Sequence, residues 1–277
     1  MNFFTKRIGL TTLSVLAAGA TFMNANGCST QKSQKKLLDG IKKISVQKGR
    51  PLKDRVCDAY FLVAKDTENY KGFVYLCTSG VPTCGYGSSI DTPARRCQIE
   101  FFDAQGKKLS PQEVEKRFKE IYDRRAAYKT GTDKKGRPVY NYRADTYKKD
   151  FALFVSRESA EKLCKSDIGQ CYTALQTNFK SAGMKLEEKP FCLIVGCMDP
   201  QYNSGSFNKE KWPNCFRLIA LNTPAGFRQA AEETNRGQVS KERNQLVKEL
   251  FLLGAGEKQQ QLQLEQQIKN QRLQKSH

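Results

Sequence analysis

The sequence predicts an α+β protein with segregated elements: one or two helices, a small three-stranded β-sheet, and then a larger helical region. Three observations carry this. β-prone residues punctuated by glycine are concentrated between positions 70 and 106. Helix-capping signals recur from residue 110 to residue 240. Apolar residues repeat at helical spacing on both sides of the sheet. At 277 residues the chain is long enough for a substantial core.

The elements follow in order. Residues 1–25 read as an export signal, because Lys6 and Arg7 precede an apolar stretch of 16 residues, Ile8 to Met23, with small residues behind it. That stretch is short for a membrane span. Cleavage near Ala25, lipid attachment at Cys28 and retention as an uncleaved anchor all stay open. The chain is therefore expected to be exported: periplasmic or secreted, or lipid-anchored through Cys28. Residues 26–50 form a basic linker entering a first helix, with Leu37, Leu38, Ile41 and Ile44 at helical spacing. A second helix places Val56, Tyr60 and Val63 on one face and reaches its end at Glu68. A hairpin comes next, with Phe73 to Leu76 as a strand, "TSGVP" as the turn, and Thr83 to Gly87 returning. "CQIEFFDAQGKK" supplies the third strand, turning near Gly106.

Helices dominate the remainder. Ser110, Pro111 and Glu113 form a capping box with proline at the first helical position. Another helix starts after Ser156, one runs from Asn222 or Thr223 to near Gly237, and one from Ser240 to Gly254. Between them "PFCLIVGCMDPQYNSGSF" is an apolar segment breaking into a polar turn. Residues 126–150 lack helical periodicity and are expected to be an insertion loop within a domain spanning 51–254. Residues 255–277, with eight glutamines, are expected to be a disordered or loosely helical basic tail.

Composition narrows the chemistry. Ten cysteines suggest an oxidising compartment and disulfides. There is no C-x-x-C, and the one histidine is the last residue, His277, which argues against zinc and against His-dependent nucleophiles. Any enzyme here must work with carboxylates, hydroxyls, thiols or lysines, without metal or organic cofactor. A net charge of +19 favours anionic envelope polymers as partners, and no nucleic-acid motif is present. A monomer is expected.

The hairpin holds the candidate site. A carboxylate at a helix end facing a small hairpin is suited to general acid work, since burial against apolar neighbours helps it hold a proton for a leaving oxygen. Glycines at 85 and 87 let the backbone approach a bulky ligand. The spacing Glu68-x8-Cys77-x5-Thr83 resembles the Glu-x8-(Asp or Cys)-x5-Thr triad of phage-type endolysins, the T4-lysozyme-like muramidases of glycoside hydrolase family 24. "GVPTCGYGSS" is similar to that family's G-x-x-T-I-G-Y-G-H hairpin, "DPQYNSGSF" to its Tyr-Asn-x-Gly helix, and "VSKERNQLVKELFL" to its late arginine-bearing helix. The matches keep their order across about residues 50–254.

This resemblance implies a lysozyme-like fold and cleavage of the β-1,4 bond between N-acetylmuramic acid and N-acetylglucosamine in peptidoglycan. By it Glu68 is the general acid, and Cys77 and Thr83 position the attacking water. Gly85, Tyr86, Gly87, Tyr202 and Asn203 then shape the substrate cleft. Ser88 and Cys84 depart from the pattern, where the family has histidine and an aliphatic residue, and of two familiar arginines only Arg243 is clear. Cys77 reads two ways, as half of a structural disulfide or as a free thiol that exchanges partners with Cys28 or Cys84. Trp212 reads as core. The rival to the enzyme is a catalytically inactive relative that binds peptidoglycan or inhibits through the same cleft.

Overall fold

The computed structural model describes residues 31–141, 143–237 and 239–275. The export segment, Cys28 and His277 lie outside them.

Helix α1 (Gln31–Ser45) buries Leu37 and Ile41, with Leu38 and Ile44 packed at the rim, as its spacing predicts. Helix α2 (Leu52–Thr67) buries Val56, Tyr60 and Val63 and ends with Glu68 as its C-cap residue. The hairpin is formed by β1 (Lys71–Leu76) and β2 (Pro82–Gly85). Gly80, at φ +75°, turns the chain between them. Tyr140 lies against that glycine so closely that an added Cβ would stand 2.5 Å from its ring.

The sheet differs from the expected three strands. The hairpin continues into β3 (Ser88–Ser89), then α3 (Pro93–Arg96), and β4 (Phe101–Phe102) is not the neighbour of either hairpin strand. Helix α4 (Pro111–Arg124) carries the anticipated capping box, Ser110 accepting from the Glu113 N–H and Glu113 from the Ser110 N–H. The described residues of 126–150 form regular elements rather than a loop. They hold a 3-10 turn (Arg125–Tyr128), the ribbon β5 (Lys129–Thr132) and β6 (Pro138–Tyr140), and most of α5 (Ala144–Phe151). Then β7 (Phe154–Val155) inserts between β1 and β4, giving the antiparallel order β3-β2-β1-β7-β4. "LFV" at 153–155 is too short for its period to be legible, yet Phe73 pairs with Phe154 and Phe101 with Val155.

Helix α6 (Arg157–Ser181), capped by Ser156, is the spine. Its first turns add Ala160 and Leu163 to a core formed with the sheet, α4 and α5. Its later turns add Cys164, Ile168, Tyr172, Leu175 and Phe179 to a second, larger core. That helical core is completed by α7 (Phe191–Ser204), α8 (Pro213–Ala220), α9 (Pro224–Glu232, capped by Thr223) and α10 (Lys241–Lys275). The molecule is thus mixed α and β with two cores joined by one helix. Trp212 opens α8 and packs on Phe207.

Helix α10 does not stop at Gly254. There an added Cβ would come within 2.8 Å of the Leu193 backbone nitrogen, while one on Gly196 would come within 2.8 Å of the Phe251 ring. Each glycine lets the opposing helix approach, so Gly254 is a crossing point and not a stop. From Gln259 the helix stands exposed. Disulfides are the other departure: Cys57, Cys77, Cys84, Cys97, Cys164, Cys171, Cys192, Cys197 and Cys215 are free thiols. Most serve as small apolar side chains on inward faces, where burial pushes Cys84 and Cys164 up to about 12 and leaves them poor nucleophiles.

Two substitutions on α10 separate close packing from helix propensity. Gly254→Ala is expected to lower the unfolding free energy by about 1–3 kcal/mol through overpacking. Gly256→Ala, with nothing within 4 Å of the added carbon, raises it by up to about 1 kcal/mol. Chemical denaturation of both variants measures the difference.

Candidate active site

Glu68 is placed by the end of α2 and faces Gly87 in the turn between β2 and β3. Its Oε2 lies 3.3 Å from where a Cβ on Gly87 would sit, and Gly87 takes φ +84°. A side chain there would crowd the carboxylate, so glycine is required twice over. Its Oε1 accepts a 2.6 Å hydrogen bond from Arg243 Nη1. The side chain is 13% exposed. Its surroundings are therefore an ion pair rather than the apolar pocket anticipated from the sequence.

Arg243 sits in the first turn of α10, where Ser240 Oγ accepts its backbone N–H. Its Nε and Nη2 reach Asp199 Oδ1 at 3.0 and 2.8 Å. Asp199, 0% exposed on α7, also receives Arg236, the Tyr60 hydroxyl at 3.1 Å and the Asn203 amide at 3.1 Å. Burial alone would push the Asp199 carboxyl up, but the Arg243 and Arg236 guanidiniums outweigh it and hold the group below its ordinary value of 3.8. Four elements therefore meet on one aspartate: α2 through Tyr60, α7, the loop before α10, and α10.

The hairpin residues are held locally. The Thr83 hydroxyl donates to Val81 O at 2.9 Å, which commits its proton and leaves its oxygen as an acceptor. Cys77 Sγ lies 3.2 Å from Ser79 Oγ. Both are nearly enclosed, at 3% for Cys77 and 4% for Thr83. Tyr75, directly opposite Thr83 across the hairpin and two residues before Cys77, is buried within the field of Glu68.

The remaining sequence-predicted residues join elements. Gly85, at φ +63°, faces α6, where an added Cβ would meet Ala160 Cβ at 2.7 Å; the close approach it permits is to a helix, not to a ligand. Tyr86 is buried, donates to Glu161 at 3.2 Å, and packs edge-on to Phe61. Burial, then the Glu161 carboxylate, pushes its phenol up to about 12. Tyr202 is buried too; its hydroxyl donates to Tyr86 O at 3.1 Å, tying α7 to the turn between β2 and β3, and burial keeps that phenol protonated. Asn203 meets Asp199 rather than the hairpin. In the position expected for histidine, Ser88 is buried on β3, and Arg95 makes the anchoring contact instead, with bonds of 2.6 and 2.7 Å to Asp167 on α6.

Sequence reasoning missed Asp199, Arg236, Tyr60 and Tyr75. Asp199 had a signal, a lone charge closing the apolar run "PFCLIVGCMD". Arg236 had none.

Replacing Asp199 by Asn strands two buried guanidiniums and is expected to cost about 3–5 kcal/mol at neutral pH. Because the folded carboxyl titrates below 3.8, its contribution is complete above that value and is lost as pH falls through the lower folded value. The gap between wild type and Asp199→Asn therefore narrows in acid. Urea denaturation at pH 7 and pH 3 measures it.

No protein-family model matches the chain, and no curated protein and no solved structure matches it.

Proposed function

We propose that the protein is a muramidase of lysozyme-like fold that hydrolyses the β-1,4 bond between N-acetylmuramic acid and N-acetylglucosamine in peptidoglycan. The observation that carries this is the meeting of Glu68 and Gly87, near each other in sequence, with Arg243, which lies 175 residues beyond Glu68. Arg243 fixes one carboxylate oxygen and leaves Oε2 turned toward Gly87 in the turn between β2 and β3. In this reading Oε2 carries the proton handed to the departing glycosidic oxygen. Thr83, its own proton committed to Val81, accepts a hydrogen bond from water and orients it, with the Cys77 sulfur beside it. With one carboxylate placed for the chemistry, direct attack by water suits the arrangement better than a glycosyl-enzyme intermediate. The net charge of +19 draws the protein to an anionic envelope.

One observation favours a second reading. The enclosure of Cys77 and Thr83 suits a catalytically inactive protein that binds peptidoglycan or inhibits through its outer surface.

Incubating the purified protein with peptidoglycan and reading new muramic-acid reducing ends by mass spectrometry separates the two. Glu68→Gln is expected to lower product release by about 10²–10⁴-fold, the range for loss of a general acid. Release unchanged by that substitution sinks the assignment of Glu68. Sedimentation onto the polymer with no release by the wild type supports the binding reading.

A further inference from the structure

One side of the hairpin floor is roofed by the chain itself. Phe73 and Tyr75 share a face of β1, and Cys77 continues that alternation just past the strand. On this face lies α5. Tyr147 is fully buried and close enough to Cys77 for the sulfur to act on its phenol; Lys148 Nζ stands 5.8 Å over the Phe73 ring. From the same segment the Tyr140 N–H donates to Thr78 O at 2.9 Å, and its ring fills the space above Gly80. Four contacts from one stretch thus fall on the turn and strand that carry Cys77.

We infer that the stretch from the 3-10 turn through α5 is a self-made cover over the Cys77–Thr83 floor, able to lift as a unit about Ala152. Its inner side is a tight aromatic group at the margin of the sheet core, with Tyr128 centred 4.9 Å from Tyr147 and 5.6 Å from Phe151, and so moves as one piece. Its outer part, β5 and β6, pairs with no strand of the main sheet. A lone two-stranded ribbon has little stability of its own. Tyr128 bonds Asp150 at 2.8 Å within the segment, and the segment is latched to α4 by an exposed contact, Arg124 to the Asp150 carbonyl at 3.1 Å, which costs little to break. At the exit Ala152 takes φ 44° and ψ 42°, a left-handed conformation disfavoured for a residue with a Cβ. Lifting the cover lets that residue relax. Closed, the cover denies water and substrate to the floor; open, it leaves the helical core in place and withdraws Tyr140, Tyr147 and Phe151 from the sheet core. The inference concerns access and rests in no part on the reaction proposed above.

The test follows thiol access in the full chain, reduced beforehand, by pulsed maleimide labelling and peptide mass spectrometry. Cys97 is exposed and reports the unhindered rate, while Cys84 and Cys192 are buried in the two cores and report global unfolding. Local opening makes Cys77 of the wild type label more slowly than Cys97 but at least about tenfold faster than Cys84 and Cys192. Tyr140→Ala is expected to speed Cys77 by a further tenfold or so, with Cys84 and Cys192 unchanged. Labelling of wild-type Cys77 as fast as Cys97 means the floor is open, and labelling in step with Cys84 means the segment is ordinary core; either overturns the inference. The wild-type comparison decides it even if the variant fails to fold.

Discussion

The structure is organised around one buried carboxylate. Asp199 is wholly enclosed yet stays ionised, because two guanidiniums, a phenol and an amide converge on it. Removing charges from water is expensive, and a pair isolated in the interior seldom recovers that cost. Here the recovery comes from number: Arg243 satisfies three donors at once between Asp199 and Glu68. The orientation of Glu68 is therefore a property of the whole cluster.

That cluster also explains how the two cores are registered. Helix α6 runs through both, but a single helix leaves rotation about its axis weakly defined. Two further ties restrict it. Tyr202 bonds the turn between β2 and β3 from α7, and Arg243 holds Glu68, just before the chain enters β1, from α10. Arg95, gripping Asp167, fixes β3 against α6 from the other side. The sheet is thereby set in place by polar bonds around β3 and the start of β1 and by apolar packing along its strands.

Elements with strong local signals were legible in the sequence. The Ser110–Glu113 capping box, the Ser156 and Thr223 caps and the apolar face of α2 are all decided by neighbours a few residues away. What was not legible was decided at long range. β7 is two residues of ordinary apolar sequence that become a strand only because β1 and β4 offer edges on both sides. Gly254 carries the mark of a helix stop, yet the approach of Leu193 gives it another use. Thiols expected to pair are spread over the inner faces of different helices. In the site, Glu68 and Gly87 were marked by spacing within one hairpin, whereas Arg236 and Tyr60 owe their place to a partner far along the chain.

The bond between Glu68 and Arg243 spans 175 residues. A ribosome makes the chain from one end, so for most of synthesis the carboxylate has no guanidinium to meet. The hairpin, α6 and the sheet core can all form before α10 exists. The assembled centre cannot, and a product broken off anywhere before its last helix carries the carboxylate without its clamp. Synthesis of α10 is in this sense a timer on the site, and a product interrupted before it is left with the scaffold alone.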